Sequence, residues 1–280
     1  MNTKPKTQTK LYGLKHYFDS LTNIFDKNIF PNKILLSGPK GIGKATLAYH
    51  FVNYVYSKHE DYPYNAITNE INSLNRSFKL IENQSHPNFY NINLLDEKKN
   101  IEINQIREMI NYTNKSSFNK LPRFILIDNV ENLNSNSLNS LLKVVEEPNE
   151  NIYFILIFNS KKIINDTLKS RCINYKINLS FDQSLEIISK ILNEDIFKII
   201  NKDILHHYVT PGDLVNLINF AKDQDINLKE YTLKKLLLLI INENYYKKNT
   251  FLKNYIFNMI QHYFIKLLFK AKSKNIILNE

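Results

Sequence analysis

Ile34-Leu35-Leu36-Ser37-Gly38-Pro39-Lys40-Gly41-Ile42-Gly43-Lys44-Ala45-Thr46 carries the chain from an apolar run through a glycine-rich loop into a helix-length stretch. That order is the signature of a phosphate-binding loop between a buried strand and a helix. The glycines let successive backbone N–H groups curl around a phosphate, and Lys44 adds a point positive charge. The stretch departs from the full Walker A motif at Ala45, where a Ser or Thr hydroxyl would bind magnesium. Phosphate binding is expected, while a magnesium ligand is missing. The alternative, a strand-to-helix turn with no ligand, fits poorly because both flanking elements are of the required kind.

With 280 residues, 43% hydrophobic and 23% charged, the chain has material for a sizeable core and for about two domains. The lysine-rich segment 1–10 lacks the apolar stretch of a secretory signal and reads as a short disordered tail. Charge-free apolar runs such as 236–241 are far below the ~20 residues of a membrane span, so a cytoplasmic location is expected. Cys172 is the single cysteine, which rules out disulfides within the chain and a cysteine-cluster zinc site. His206 and His207 are adjacent and point to different helix or strand faces, so they make a poor metal pair. A net charge of +10 and a pI near 9.3 suit a polyanionic partner. A general bias toward Lys, Asn and Ile would produce the same surplus, so direct DNA contact is left open.

Short Ile/Leu/Phe/Tyr runs at 33–37, 88–94, 123–128, 153–158 and 173–177 alternate with helix-length stretches at 44–58, 103–114 and 137–145. This alternation predicts a parallel sheet covered on both faces, an α/β domain over 1–178. The 62–84 stretch has no clean period and reads as an insertion. After residue 179 the apolar spacing becomes helical, as in Leu185, Ile188, Ile191 and Leu192, and Thr210-Pro211-Gly212 is expected to turn between helices. A small helical domain is assigned to 179–227 and a C-terminal helical region to 228–280. Two broad apolar patterns, 231–243 and 250–271, are too wide to cover each other fully, which leaves area for a partner subunit. Phe124-Ile125-Leu126-Ile127-Asp128 is an apolar strand ending in a carboxylate, the Walker B pattern, with Asp128 positioned to orient magnesium or its waters.

Ser137-Leu138-Asn139-Ser140-Leu141-Leu142-Lys143-Val144-Val145-Glu146-Glu147-Pro148 resembles the clamp-loader helix that carries a Leu-Leu-Lys core and ends in Glu-Glu-Pro. Ser170-Arg171-Cys172 resembles the Ser-Arg-Cys motif of the same family, and Ser85-His86-Pro87 precedes the second strand. Together with the phosphate-binding loop these motifs resemble the AAA+ clamp-loader family of bacterial DNA polymerase III, its delta-prime subunits most of all. The resemblance covers 34–177 well and the helical regions weakly.

It implies an AAA+ P-loop sheet domain, a helical lid and a C-terminal collar-type oligomerisation region. It also implies that the loop Gly38, Pro39, Lys40, Gly41, Ile42, Gly43, Lys44, Ala45 and Thr46 cradles ATP or ADP. Asp128 becomes the metal-site carboxylate and Asn159, or Ser160, the sensor near a gamma-phosphate. Arg171 becomes an arginine finger acting in trans; the alternative is a surface residue before the fifth strand.

The pattern departs from working ATPases of the class. Asn129 stands where Glu polarises the attacking water, and Glu131 lies two positions on, where a strand end turns it elsewhere. The cysteine-ligated zinc module of related motor subunits has no counterpart in 62–84, and Asp213, Leu214 and Val215 follow Gly212 where a second sensor arginine would stand. The implied function is a stator with weak or absent ATPase, held among motor and delta subunits, acting on the sliding clamp indirectly and on primed DNA through the assembly. The alternatives are an autonomous P-loop ATPase, a nucleotide kinase, whose lid would need arginines that this chain scarcely has, and a nucleotide-free tether.

Overall fold

The structure, a computed structural model, describes residues 4–95, 98–115, 119–205 and 209–277. His206 and His207 lie outside the described residues. The chain folds as two compact units that divide between Asn178 and Leu179.

The first unit runs α1 (Lys15–Asp26), β1 (Lys33–Gly38), α2 (Lys44–Ser57), α3 (Arg76–Glu82), β2 (Phe89–Ile92), α4 (Ile103–Thr113), β3 (Arg123–Ile127), α5 (Ser135–Glu146), β4 (Ile152–Asn159), α6 (Asp166–Ser170) and β5 (Ile173–Lys176). The strands form one sheet in the order β2-β3-β4-β1-β5, every pair parallel. This is the parallel α/β architecture expected from the alternation of apolar runs and helix-length stretches. The central strands are apolar on both sides because helices cover both faces: all of β3 is buried, as are Ile34, Leu35 and Leu36 of β1. Arg123, also buried, donates to the carbonyls of Tyr112, Thr113 and Lys115, so its charge satisfies the C-terminal end of α4.

Register decides where chemistry can occur. Gly38 pairs with Asn159, and Ile127 lies beside Ile92 on one side and Leu156 on the other. The carboxyl ends of β1, β3 and β4 therefore finish together, where ligands bind in open parallel sheets.

The amino-terminal segment differs from the tail expected of it. Pro5–Thr7 form a 3-10 turn. The Ile71 N–H donates to Thr9 O, the Leu11 N–H donates to Asn69 O, and Lys6 Nζ reaches Glu82 O. His50, fully buried in α2, holds the same segment through Nε2 and Gln8 O at 3.2 Å. The anchors are backbone groups and a buried histidine, so a Lys/Thr-rich composition gave no sign of them. They also give the 62–84 stretch a role, since Asn69 and Ile71 belong to it. Within that stretch Asn75 caps α3, accepting from the Phe78 N–H.

The second unit comprises α7 (Phe181–Leu192), α8 (Ile196–Ile199), α9 (Pro211–Asp223), α10 (Leu233–Asn242), α11 (Tyr245–Lys248) and α12 (Thr250–Ile277). One core joins them, drawing Leu185 and Ile188 from α7, Leu214 and Leu217 from α9, Leu236 and Ile240 from α10, and Leu252 and Met259 from α12. Thr210-Pro211-Gly212 is the start of α9 rather than a free turn. Thr210 and Asp213 cap each other reciprocally and Pro211 occupies the first turn, where its missing N–H costs nothing. Phe257, Phe264, Leu268 and Phe269 remain exposed along α12. No helix among the described residues is long and apolar enough to cross a membrane.

Candidate nucleotide site

The glycine-rich loop runs from the end of β1 at Gly38 to the start of α2 at Lys44. Gly38 has no room for a side chain: a Cβ there would lie 2.3 Å from Ile177 O. Gly43 takes the left-handed conformation, φ 92°, and no side chain caps the start of α2, the kind of helix start that suits an anion. Ile42 is buried and fastens the loop, while Lys40 is exposed.

Lys44 is 6% exposed. Its Nζ donates to Gly38 O at 2.8 Å and Pro39 O at 2.6 Å. Burial pushes its ammonium down to about 8, against the pull of Asp128 and Glu131. A phosphate would restore the charge that burial weakens. The lysine, the loop and the uncapped helix start fit a nucleotide phosphate chain.

Asp128 follows β3 directly and its Oδ1 accepts the Asn129 N–H at 2.8 Å. Burial raises its carboxyl above the usual range, and Lys44 pulls the other way. Ala45 and Asp128 share the lining of a cleft of about 220 Å³ with Tyr49, Asn93 and Asn129, and Lys4, Pro5 and Lys6 of the amino-terminal segment also line it. Of the two groups the sequence assigns to magnesium, the Asp128 carboxylate lines the cleft and a hydroxyl at position 45 is absent. Thr46 lies one residue further along α2. Among the described residues no group of three or more His, Cys, Asp or Glu could hold a metal ion.

Glu131 corrects the sequence expectation. A 3-10 turn at Val130–Asn132 folds it back instead of turning it away, and its side chain is only 1% exposed. Its Oε2 accepts the Asn159 N–H at 3.2 Å, and its charge acts on both Lys44 and Asp128. Asn159, at the end of β4, turns its own Oδ1 to the Lys161 N–H. The structure thus brings Gly38, Lys44, Asp128 and Asn159 to one edge of the sheet and adds Glu131, Tyr49 and the amino-terminal segment. Nothing in the local sequence marked the last two; the carboxylate two residues beyond Asn129 was the one available signal.

Arg171 lies elsewhere in the first unit, at the C-cap of α6. Its Nε and Nη2 donate to Glu146 Oε1 at 2.9 and 2.6 Å, and Nη1 donates to Thr167 O at 3.0 Å. Glu146 ends α5, whose buried stripe is Ser137, Leu141 and Val145. Ser137 Oγ donates to Ile101 O, which fixes the helix against the loop after β2.

Residues 13–180 match the family described as DNA polymerase III, delta subunit. The chain belongs to that family. Among curated relatives, the DNA polymerase III subunit gamma of Buchnera aphidicola subsp. Schizaphis graminum is 30% identical over 241 residues, covering 82% of this chain and 63% of that protein. The subunit delta' of Pseudomonas aeruginosa is 26% identical over 162 residues, 58% of this chain and 48% of its own length. The chain therefore spans less than two-thirds of either relative. Of solved structures, the Thermotoga maritima RuvB Holliday junction branch migration motor is 18% identical with a TM-score of 0.49, over 84% of this chain and 74% of that one.

Proposed function

We propose that the chain is a delta-prime-type stator of a DNA polymerase III clamp loader, helping ATP-dependent loading of the sliding clamp on primed DNA. In this reading 1–178 is the AAA+ domain, 179–227 a lid and 228–280 a collar-type oligomerisation region. The loop 38–46, Asp128 and Asn159 hold ATP or ADP weakly or without turnover, and Arg171 completes the ATP site of a neighbouring motor subunit. Motor and delta subunits are the direct partners; clamp and DNA are met through the assembly, in the cytoplasm.

The observation that carries the reading is the contrast between the two arginine- and lysine-bearing sites. The chain's own loop keeps its lysine but lacks a hydroxyl at Ala45 and a carboxylate at Asn129. The side chain of Arg171, by contrast, is one-third exposed at the end of a short helix. A planar, permanently charged group suits transition-state phosphoryl oxygens, and an arginine supplied in trans contributes ~10³-fold or more to phosphoryl transfer.

The test is Arg171→Ala in the complex reconstituted with motor and delta subunits of the same organism. Assembly and ATP binding should persist while turnover falls by ~10²-fold or more. Turnover at the unmutated rate would refute the finger. A second reading, an autonomous ATPase, is favoured by the buried Glu131 carboxylate, whose charge acts on Lys44; isolated-chain turnover on the order of 1 per second would establish it.

A further inference from the structure

We infer that Glu146 is a positioning residue that holds Arg171 retracted on its own subunit, so that a neighbour's phosphate must compete with this carboxylate for the guanidinium. The inference rests on the reading of Arg171 as a trans finger and adds to it a control element that lies at the end of the Leu-Leu-Lys helix.

Three observations support it. The Nε and Nη2 donors of Arg171 converge on a single oxygen, Glu146 Oε1, and Nη1 goes to Thr167 O, so all three nitrogens bond within the chain. Both partners are surface groups, the side chains 33% and 48% exposed, so the pair is open to exchange rather than locked in a core. Third, the pair joins two elements with different supports. Val145, beside Glu146, is fully buried and fixes the end of α5, whereas Arg171 ends the five-residue α6, whose only buried residue is Leu168. The anchored partner is the carboxylate and the lightly held one is the arginine.

A phosphate that takes the guanidinium must first displace this anion, and its apparent affinity falls by the fraction of Arg171 kept on Glu146. Movement of α5 relative to α6 would then release or recapture the arginine, which ties the finger to the conformation of its own subunit.

The experiment is a double-mutant cycle in the reconstituted clamp-loader complex, reading kcat and KM for ATP with and without clamp and primed DNA. Glu146→Gln keeps the shape and removes the charge. It should lower KM, or raise turnover in the absence of clamp and DNA, by roughly two- to fivefold, the scale of one partly exposed ion pair. The same change made in Arg171→Ala should have no effect, because the carboxylate acts only through the arginine. Glu146→Asp, too short to reach both nitrogens, should behave like Glu146→Gln. If Glu146→Gln leaves both constants unchanged, lowers turnover, or acts equally in the Arg171→Ala background, the retraction is overturned. If instead Arg171→Ala itself leaves turnover intact, the finger reading fails, and the two failures are distinguishable.

Discussion

At the scale of single residues, the candidate site joins groups placed by their immediate chain neighbours to groups placed by contacts from other strands and turns. Lys44 follows its glycines and Asp128 ends its strand, so both could be placed from sequence. Glu131 could not, because its direction depends on the curl of a 3-10 turn and on the Asn159 N–H that meets it from another strand. The Arg171–Glu146 pair depends likewise on where α5 and α6 stop. Lys44 yields the prediction that belongs here. Burial lowers its pKa to about 8 in the folded chain, and a bound phosphate favours the charged form. The bound state therefore holds the proton to higher pH than the free state, and binding above pH 8 must take up a proton. Affinity for ADP should be level from pH 6.5 to 7.5 and weaken several-fold by pH 9. Lys44→Met should bind more weakly and lose that dependence. Calorimetric titration at three pH values checks it; a level profile for the unmutated chain through pH 9 would separate Lys44 from the phosphates.

Among elements, all five strands were legible: the inner strands β1, β3 and β4 are buried and written as continuous apolar runs, whereas the edge strands β2, half-buried, and β5, largely exposed, showed only as shorter runs of the same residue types. The amino-terminal segment was not, since backbone hydrogen bonds to 69–71 leave no trace in side-chain pattern, and α1 passed unnoticed between two loops. His50 and His86 connect these supporting elements to the sheet. His50 contacts Gln8 O and Tyr64 Oη, while His86 stacks on Tyr56 with centroids 4.2 Å apart and meets Ser77 Oγ. Burial pushes both imidazoles down to about 4, so each is neutral in the folded chain. The unfolded chain, with histidines near 6.5, takes up protons first as pH falls. Their contribution is therefore complete above about pH 6.5 and is lost progressively between 6.5 and 4. Each should cost about 2 kcal/mol of stability by pH 4.5. Urea unfolding at pH 7 and pH 4.5 measures the loss, and in His86→Gln the difference between the two should shrink by about that amount. An unchanged difference would mean that His86 is already protonated in the native state.

For the whole molecule, the division after Asn178 sets what a ligand can stabilise. Every residue of the candidate site, from Lys4 of the amino-terminal segment to Asn159, precedes that boundary, and the helical unit has its own core from Leu185 to Met259. A ligand that binds the folded first unit and not its unfolded form stabilises it by mass action, about 2.7 kcal/mol at a hundredfold excess over Kd. Amide exchange of the isolated chain should show this as slower exchange across β1, β3, β4 and α2 when ADP is added, with α7, α9 and α10 unaltered. The protection should be largest where opening requires breaking the sheet and small in surface loops that open locally. Lys44→Met should remove most of the effect without changing exchange in the ligand-free chain, because its partners are loop carbonyls rather than core groups. The expected pattern is thus bounded by residue 178 and dependent on one lysine. Equal protection of the helical unit would mean that nucleotide acts on both units, and would give the proposed lid a part in binding; no protection anywhere at millimolar ADP would mean that the loop no longer holds nucleotide.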